Sequence, residues 1–252
     1  MTTSVRASVR GSVPDERTLR RELAAAFRWT ARYDWNEAVA NHFSAAVSDD
    51  GSQFLLNPVG RHFSRMTASE LLLLDTAHEQ SSSADPTAWH LHASLHRQVP
   101  HAKVVLHTHQ QYATALACLQ DFEFLMLDQN SCRFHDRIAY DRNYGGMFLS
   151  SAEADRVIEL MSAGKRVLFL GGHGVMVIGN TVAEAFDDLY YLEKACRLQW
   201  LALSTGRPLQ LVSEQVAIHT REQWEDYPAE AATLHFDELL AILDREEPDY
   251  AS

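Results

Sequence analysis

Two histidine motifs carry the residues best suited to chemistry. Residues 103–109 read Lys-Val-Val-Leu-His-Thr-His, and residues 166–174 read Arg-Val-Leu-Phe-Leu-Gly-Gly-His-Gly. Each apolar run predicts a short buried strand. Because alternate residues of a strand share a face, His107 and His109 should point the same way, about 7 Å apart along the chain. The glycines beside His173 allow a sharp turn, so the two motifs together predict a three-histidine metal site with open positions.

Chance pairing is the alternative for these histidines. Thirteen histidines in 252 residues will place some at i,i+2, and a single strand histidine is more often a hydrogen-bonded core residue. The third histidine and the strand contexts favour the metal site. His92 and His96 also share one face of a predicted helix. Since no glutamate adjoins His92 as in a metalloprotease helix, we expect solvated imidazoles there, with His92 as a possible fourth ligand.

Composition indicates a globular protein without nucleic-acid or membrane partners. The chain is 46% hydrophobic and 22% charged, and its formal net charge is −12. This acidic balance, without clustered Lys and Arg, argues against binding to nucleic acid. We find no apolar stretch long enough to span a membrane and no signal-peptide pattern. Three isolated cysteines indicate reduced core residues of a cytoplasmic protein: Cys118, Cys132 and Cys196.

Hydrophobic periodicity and capping signals predict helices interleaved with strands. We expect a disordered lead-in over residues 1–13 and one domain over 14–252 with an acidic helical C-terminal extension. Helices are predicted at 14–33 (capped by Ser12), 71–74, 87–98, 111–119, 150–164 (capped by Ser150), 181–203 and across 213–247. Strands are predicted at 40–47, 53–58, 103–109, 124–127, 137–140, 167–171 and 175–178. The pattern predicts an α/β fold, a three-layer α/β/α sandwich with a mostly antiparallel central sheet.

The order and spacing of these motifs, with the helical segment Glu-Ala-Phe-Asp-Asp-Leu-Tyr-Tyr-Leu-Glu at 184–193, resemble the class II aldolase/adducin family. The resemblance covers about residues 18–210. It implies that His107, His109 and His173 bind a divalent metal, usually zinc, that stabilises an enediolate. It also implies a homotetramer that binds a small-molecule substrate at a subunit interface. Neutral histidine ligands leave the charge of the metal undiminished, which favours a Lewis-acid role.

Two departures from the sugar-phosphate aldolases of that family bear on the reaction. Their catalytic glutamate, which precedes a tryptophan, corresponds to Ala88, and alanine cannot carry a proton. Their phosphate-binding Ser-Ser and Thr-Gly pairs correspond to Pro86-Thr87 and Val59-Gly60, which makes a sugar-phosphate substrate doubtful. Asn41 and Gly60 still match family positions near that pocket, and Thr87 stays a candidate for substrate binding.

Replacement acid or base groups must come from nearby side chains. Tyr112, three residues after His109, and His90, beside the vacated glutamate position, are the candidates. A polar cluster of Gln129, Asn130 and Arg133 follows a predicted strand and would read a substrate carboxylate. The alternative for each is a satisfied polar residue near a subunit contact.

These features favour a metal-dependent lyase that acts on a small hydroxy- or keto-acid by retro-aldol cleavage or decarboxylation, with Zn²⁺ preferred and Fe²⁺ as the alternative. A non-haem Fe(II) oxygenase would use the same three histidines. A non-catalytic assembly module, like an adducin head, would tolerate loss of the base but has no need of three metal ligands. The C-terminal stretch, with Trp224, Tyr227 and Phe236, is expected to pack on a neighbouring subunit.

Overall fold

A seven-stranded sheet lies at the centre of the computed structural model, which describes residues 15–78, 81–147, 151–226 and 230–252. Its strands are β1 (His42–Ala46), β2 (Gln53–Leu56), β3 (Leu72–Asp75), β4 (Val104–Thr108), β5 (Ile138–Asp141), β6 (Val167–Leu170) and β7 (Gly174–Gly179). They lie in the order β3-β2-β1-β4-β7-β6-β5. Each neighbouring pair is antiparallel except β5 and β6, which run parallel. The predicted mostly antiparallel sheet is confirmed.

Helices cover both faces of the sheet, so the predicted three-layer α/β/α sandwich is confirmed as well. The helices are α1 (Glu16–Arg32), α2 (Pro86–Gln98), α3 (Gln111–Ala117), α4 (Gln129–Cys132), α5 (Ser151–Met161), α6 (Val182–Ser204), α7 (Glu214–Asp226) and α8 (Ala231–Glu246). Buried side chains of α1, α3, α6 and α8 share one apolar cluster with the sheet. Those of α2 and α5 pack on its other face.

Strand β4 lies in the middle of the sheet and sets the position of the site. His107 pairs with His42 of β1 on one side and with Met176 of β7 on the other. Since alternate residues share a face, Val105 and His107 point toward α2 and α5, where Val105 joins their apolar cluster. The same alternation places Ser44, which pairs with Val105, on that face.

Two predicted elements differ in the structure. The run Leu71–Leu74 was predicted as a helix, but residues 72–75 form strand β3 after a short 3₁₀ helix at Ala68–Glu70. Four residues are too few to close a stable α-helix, whereas β3 completes its backbone hydrogen bonds by pairing with β2. No strand forms at 124–127, because Phe124 and Leu125 donate their backbone N–H groups to the side chains of Tyr140 and Gln199.

Helix caps follow the predicted chemistry at some ends and depart from it at others. Thr181 caps α6 by accepting a hydrogen bond from Glu184 N–H, as predicted. Helix α1 begins at Glu16, and its cap is Asp15, which accepts from Thr18 N–H at 3.1 Å, in place of the predicted Ser12. The predicted lead-in at 1–13 and the Ser150 cap lie outside the described residues.

The C-terminal region packs on its own chain, which corrects the expectation that it covers a neighbour. Phe236 of α8 is buried against Phe186 of α6, with ring centroids 5.7 Å apart. Trp29 of α1 donates its indole N–H to the Leu239 carbonyl at 3.0 Å. Tyr227 lies outside the described residues. Helix α8 is therefore part of the main apolar core.

Two further observations bear on the composition arguments. Within the described ranges no helix is both long and apolar enough to cross a bilayer. All three cysteines are free, and Cys132 and Cys196 are buried, but Cys118 is exposed at the end of α3 and is not a core residue.

Candidate metal centre

Three imidazoles converge at the end of β4, as predicted. His107 lies on β4, His109 follows the strand, and His173 lies in the turn between β6 and β7. The centroid of the His107 ring lies 5.0 Å from that of His109 and 4.8 Å from that of His173. The centroids of the His109 and His173 rings are 5.0 Å apart. One ligand nitrogen from each ring lies within 4.8 Å of the other two. We call these residues the histidine triad.

Hydrogen bonds and burial prepare the triad for a cation. His107 donates its Nδ1–H to the Val175 carbonyl at 2.9 Å, which leaves Nε2 with a free lone pair. In the described part of the chain, the buried Nε2 of His109 has no hydrogen-bond partner. Burial lowers the pKa of His107 well below its usual value, lowers that of His109, and lowers that of His173 to about 4. Neutral imidazoles with directed lone pairs fit a divalent metal.

Glycines shape the turn that carries His173. Gly172 adopts a φ of +64°, a left-handed conformation that glycine takes without steric cost. At Gly174 a Cβ would lie 2.6 Å from the Thr108 carbonyl oxygen and 2.7 Å from Cδ2 of His109. The Gly-Gly-His-Gly motif thus lets β7 pass directly against the His-x-His segment.

A cavity of about 80 Å³ opens beside the triad. His107 and His173 line it together with His42, Thr87 and Tyr144. Asn41, which precedes His42, is buried with a φ of +72° and accepts a hydrogen bond from Glu37 N–H at 2.8 Å. Its Nδ2 has no partner among the described residues. Asn41 does not itself line the cavity, whereas His42 and Thr87 do, so the cavity offers polar groups to a small ligand beside the three histidines.

Comparison with known proteins places this site in a family. The profile of the family described as Class II Aldolase and Adducin N-terminal domain matches residues 21–200. The chain belongs to this family. An aldolase II superfamily protein from Pseudomonas syringae is 30% identical, and its crystal structure matches with a TM-score of 0.85 over 96% of this chain and 98% of that chain.

Two further members show the breadth of the class II aldolase and adducin family. Human beta-adducin is 31% identical over 199 residues, which are 76% of this chain and 27% of that protein. The structure of L-fuculose 1-phosphate aldolase from Glaciozyma antarctica matches with a TM-score of 0.79 at 22% identity, over 93% of this chain and 92% of that chain. At that identity the likeness shows a shared fold.

Some of the predicted site residues lie together in the single chain, and others lie apart. Thr87 lines the cavity and donates its hydroxyl to Asp85 at 2.5 Å. Gly60 is exposed in a turn and does not line that cavity. Gln129 lies in a separate cleft of about 510 Å³ beside Trp224, whose indole N–H donates to the Gln129 carbonyl at 3.1 Å.

The two predicted proton carriers also lie away from the cavity in the single chain. The Tyr112 ring packs on Trp200, with centroids 5.8 Å apart. His90 lies two residues before His92 on α2, which turns it about 200° around the helix, away from the sheet. Neither side chain lines the cavity that holds the triad.

Two other residues that the sequence analysis singles out pack against their own chain. Ala88, at the position of the family glutamate, is fully buried in an apolar cluster with Phe54, Leu56 and Trp89. Arg133 donates its Nη2 to Asp187 at 2.7 Å and to Asp188 at 2.9 Å, and it does not line the cavity beside the triad in the single chain.

The expectation of solvated imidazoles on α2 is wrong. His92 and His96 are buried, and both ring nitrogens of His92 take part in hydrogen bonds, with His42 and with Ser44. His92 therefore offers no nitrogen to a metal, and the fourth-ligand hypothesis has no support. The i,i+4 spacing showed from the sequence that His92 and His96 share a helix face. Nothing in the sequence indicated that His42 and Ser44 of β1 are their hydrogen-bond partners.

Sequence patterns also missed two groups next to the triad. His42 lines the cavity, and its ring centroid is 4.8 Å from that of His107. Glu37 places a carboxylate oxygen 3.8 Å from Nδ1 of His109, a distance too long for a hydrogen bond. The available signal for His42 was its position directly after Asn41, which matches a family position.

Proposed function

We propose that the protein is a metal-dependent lyase that cleaves a small hydroxy- or keto-acid by retro-aldol cleavage or decarboxylation. His107, His109 and His173 would hold the divalent metal, with zinc preferred. The observation that carries the proposal is the convergence of three neutral imidazoles, one oriented by the Val175 carbonyl and one with a buried nitrogen lacking a partner among the described residues. Membership in the class II aldolase family supports the reaction class.

The chain supplies binding groups for such a substrate. The buried Nδ2 of Asn41, with no partner in the described segments, is a donor suited to a carboxylate or carbonyl oxygen. Thr87 adds a hydroxyl at the cavity wall. A divalent metal bound at the triad supplies Lewis-acid polarisation of a substrate carbonyl. Pro86 and Val59, at positions where the sugar-phosphate aldolases have phosphate-binding hydroxyl groups, support a substrate other than a sugar phosphate.

Proton transfer is assigned by proposal to Tyr112 and His90. Both lie outside the cavity of the single chain, so each would serve a site shared with a second subunit. The proposed assembly is a homotetramer, and Gly60 and Gln129 would bind substrate from the same subunit boundary. The free cysteines support the proposed cytoplasmic location, where thiols stay reduced.

Metal content is the experiment that tests the lyase. The protein is purified without added metal or chelator and compared with a His107→Ala/His109→Ala double variant and with His78→Ala, which removes an exposed histidine. We expect near-stoichiometric zinc in the wild type and in His78→Ala, and none in the double variant. A panel of small hydroxy- and keto-acids is then assayed for aldehyde or carbon dioxide release. Wild type that stays metal-free after incubation with zinc and Fe(II) would contradict the proposal.

An Fe(II) oxygenase is the second candidate. The triad contains no carboxylate ligand, and three neutral imidazoles also suit Fe(II). Iron in the purified protein, together with dioxygen consumption that depends on an added hydroxy- or keto-acid, would select this function over the lyase.

A non-catalytic assembly module is the third candidate, supported by the 31% identity with beta-adducin. This function needs no bound metal. A metal-free protein that forms a defined oligomer and releases no product from any acid in the panel would select it.

A further inference from the structure

A chain of buried hydrogen bonds runs from the cavity into the protein behind His42. Nδ1 of His42 lies 2.6 Å from Nε2 of His92. Nδ1 of His92 contacts the Ser44 hydroxyl, which lies 2.7 Å from Nε2 of His96. Nδ1 of His96 ends the chain 2.7 Å from the Ala102 carbonyl oxygen. Strand β1 supplies His42 and Ser44, and α2 supplies His92 and His96. They meet because His42 and Ser44 lie on the face of the sheet that α2 covers.

The carbonyl at its end fixes the direction of every bond in this chain. A carbonyl oxygen can only accept, so His96 carries its proton on Nδ1, and its Nε2 accepts from the Ser44 hydroxyl. Ser44, whose single proton is used, accepts from Nδ1–H of His92. Nε2 of His92 is then an acceptor, and His42 must donate its Nδ1–H to it. Each tautomer follows from the one before.

Burial keeps the two inner imidazoles neutral, as this assignment requires. His92 and His96 are almost completely buried. Desolvation lowers the pKa of His92 well below the usual value and that of His96 to about 4. With Nδ1–H engaged by His92, the remaining polar atom of His42 is Nε2. The hydrogen bond that the described residues give the His42 side chain is the one through Nδ1, and the ring lines the cavity beside His107 and His173.

His42 is separate from the ligand group. The ligand nitrogens found close together in the described residues belong to His107, His109 and His173, and His42 is not among them. Its ring centroid nevertheless lies only 4.8 Å from that of His107. A hydroxyl group of a ligand at the triad would lie within reach of an acceptor at this place.

We propose that His42 is a substrate-binding residue whose Nε2 lone pair accepts a hydrogen bond from a hydroxyl group of a small hydroxy-acid. His92, Ser44 and His96 are positioning residues that fix its tautomer. The inference rests on the proposed function and narrows its substrate class to acids that carry a hydroxyl next to the chelating oxygens. A keto-acid without a hydroxyl would gain nothing from His42.

The tautomer is tested by solid-state ¹⁵N NMR on histidine-labelled, zinc-loaded protein, since protonated and unprotonated ring nitrogens differ in chemical shift. Signals of His42 are identified by their absence in His42→Asn. We expect Nδ1–H and an unprotonated Nε2 in the wild type, and a mixture of both tautomers in Ser44→Ala, where the chain is cut. An Nε2–H tautomer in the wild type, or no change in Ser44→Ala, would overturn the assignment.

Binding is tested with glycolate and with acetate, which lacks the hydroxyl. His42→Asn keeps a donor toward His92 but removes the acceptor at the cavity, so we expect glycolate binding to weaken about tenfold and acetate binding to stay unchanged. His42→Gln, whose amide reaches the Nε2 position, should restore part of the difference. If His42→Asn weakens glycolate and acetate binding equally, or loses zinc, the proposed role of His42 is wrong while the proposed function stands. Wild type that binds no zinc would instead overturn the proposed function and this role with it.

Discussion

Burial decides the protonation of the imidazoles around the cavity. Desolvation lowers the pKa values of His42 and His96 to about 4, and it lowers that of His92 well below its usual value. These rings are therefore neutral at physiological pH and keep unprotonated nitrogens inside the protein. The same effect on the triad keeps its nitrogens available to a metal, since a protonated imidazole cannot bind a cation.

The low pKa of His96 predicts a loss of stability in acid. The unfolded chain has a histidine pKa of about 6.5, so as the pH falls from there toward 4 the unfolded state takes up a proton that the folded state refuses. Each such histidine lowers the free energy of unfolding by up to about 1.4 kcal/mol per pH unit. His96→Asn removes this contribution, and its stability should fall less steeply with acid. Urea unfolding at about pH 7 and pH 5, with chelator to exclude metal release, measures both slopes.

Comparing two slopes isolates His96 from other titrating groups. Glu193 acts in the opposite direction, because burial raises its pKa to about 7 and its protonated form is stabilised in the folded state. Its contribution is lost as the pH rises from 4.5 through 7, equally in wild type and variant. Parallel slopes in the two proteins would show that His96 titrates normally in the folded state.

The close approach at Gly174 predicts a defect confined to the site. In Gly174→Ala the new methyl group collides with the Thr108 carbonyl and with His109, so the triad must shift. We expect zinc affinity to fall at least tenfold, by analogy with loss of a supporting group around a metal ligand. Gly206→Ala is the matched control, since its φ of +64° strains an added Cβ but nothing lies within 4 Å. Zinc titration with a chromophoric competitor measures both, and equal affinities would contradict the account.

The sequence predicted the convergence of the three histidines but missed the groups behind them. His107, His109 and His173 were predictable because each lies at the end of an apolar run, where strand alternation or a glycine turn fixes its direction. His42, Ser44, His92 and His96 meet only after β1 pairs with β4 and α2 packs on that face. Such contacts depend on register and packing, which local spacing does not encode.

At the scale of elements, the outcome depended on what each segment packs against. Residues 72–75 form a strand because β2 offers an edge, although the leucine run alone suits either structure. Residues 124–127 form none, because side chains of Tyr140 and Gln199 take their hydrogen bonds. The longer helices and the strands of the two histidine motifs were predicted near their observed bounds, since their periodicity and caps agree with their packing.

Helix α8 is predicted to be necessary for folding. Leu243 is fully buried in the main core, whereas Leu234 on the same helix is 60% exposed. Truncation of a buried leucine to alanine typically costs about 2–5 kcal/mol, so Leu243→Ala should lower the free energy of unfolding by that amount. Leu234→Ala should change it by less than about 0.5 kcal/mol. Urea denaturation measures the free energy of unfolding of both variants. If Leu243→Ala loses no more stability than Leu234→Ala, α8 contributes little to the core.

At the scale of the whole molecule, several apolar side chains on the last turns of α6 are exposed in the described part of the chain. Leu198, Trp200, Leu201 and Leu203 are each more than 40% exposed. Clustered exposed apolar residues are typical of protein interfaces, where aromatic side chains are also enriched. This surface supports the proposed homotetramer, in which a second subunit would cover it.

Charge on that surface should dissociate the oligomer. Leu201→Glu/Leu203→Glu places two carboxylates where apolar contacts are expected, so the double variant should elute as a smaller species with its fold intact. Leu234→Glu, an exposed leucine of α8, is the matched control and should keep the wild-type mass. Size-exclusion chromatography with light scattering gives the masses. A monomeric wild type would contradict the tetramer.

X-ray absorption at the zinc edge tests the three-histidine centre most directly. The wild type is loaded with one equivalent of zinc and compared with His109→Ala. The account predicts a first shell with three imidazole nitrogens at about 2.0–2.1 Å, and one imidazole fewer in the variant. A shell containing sulfur at about 2.3 Å, or one that His109→Ala leaves unchanged, would place the metal elsewhere and contradict the account.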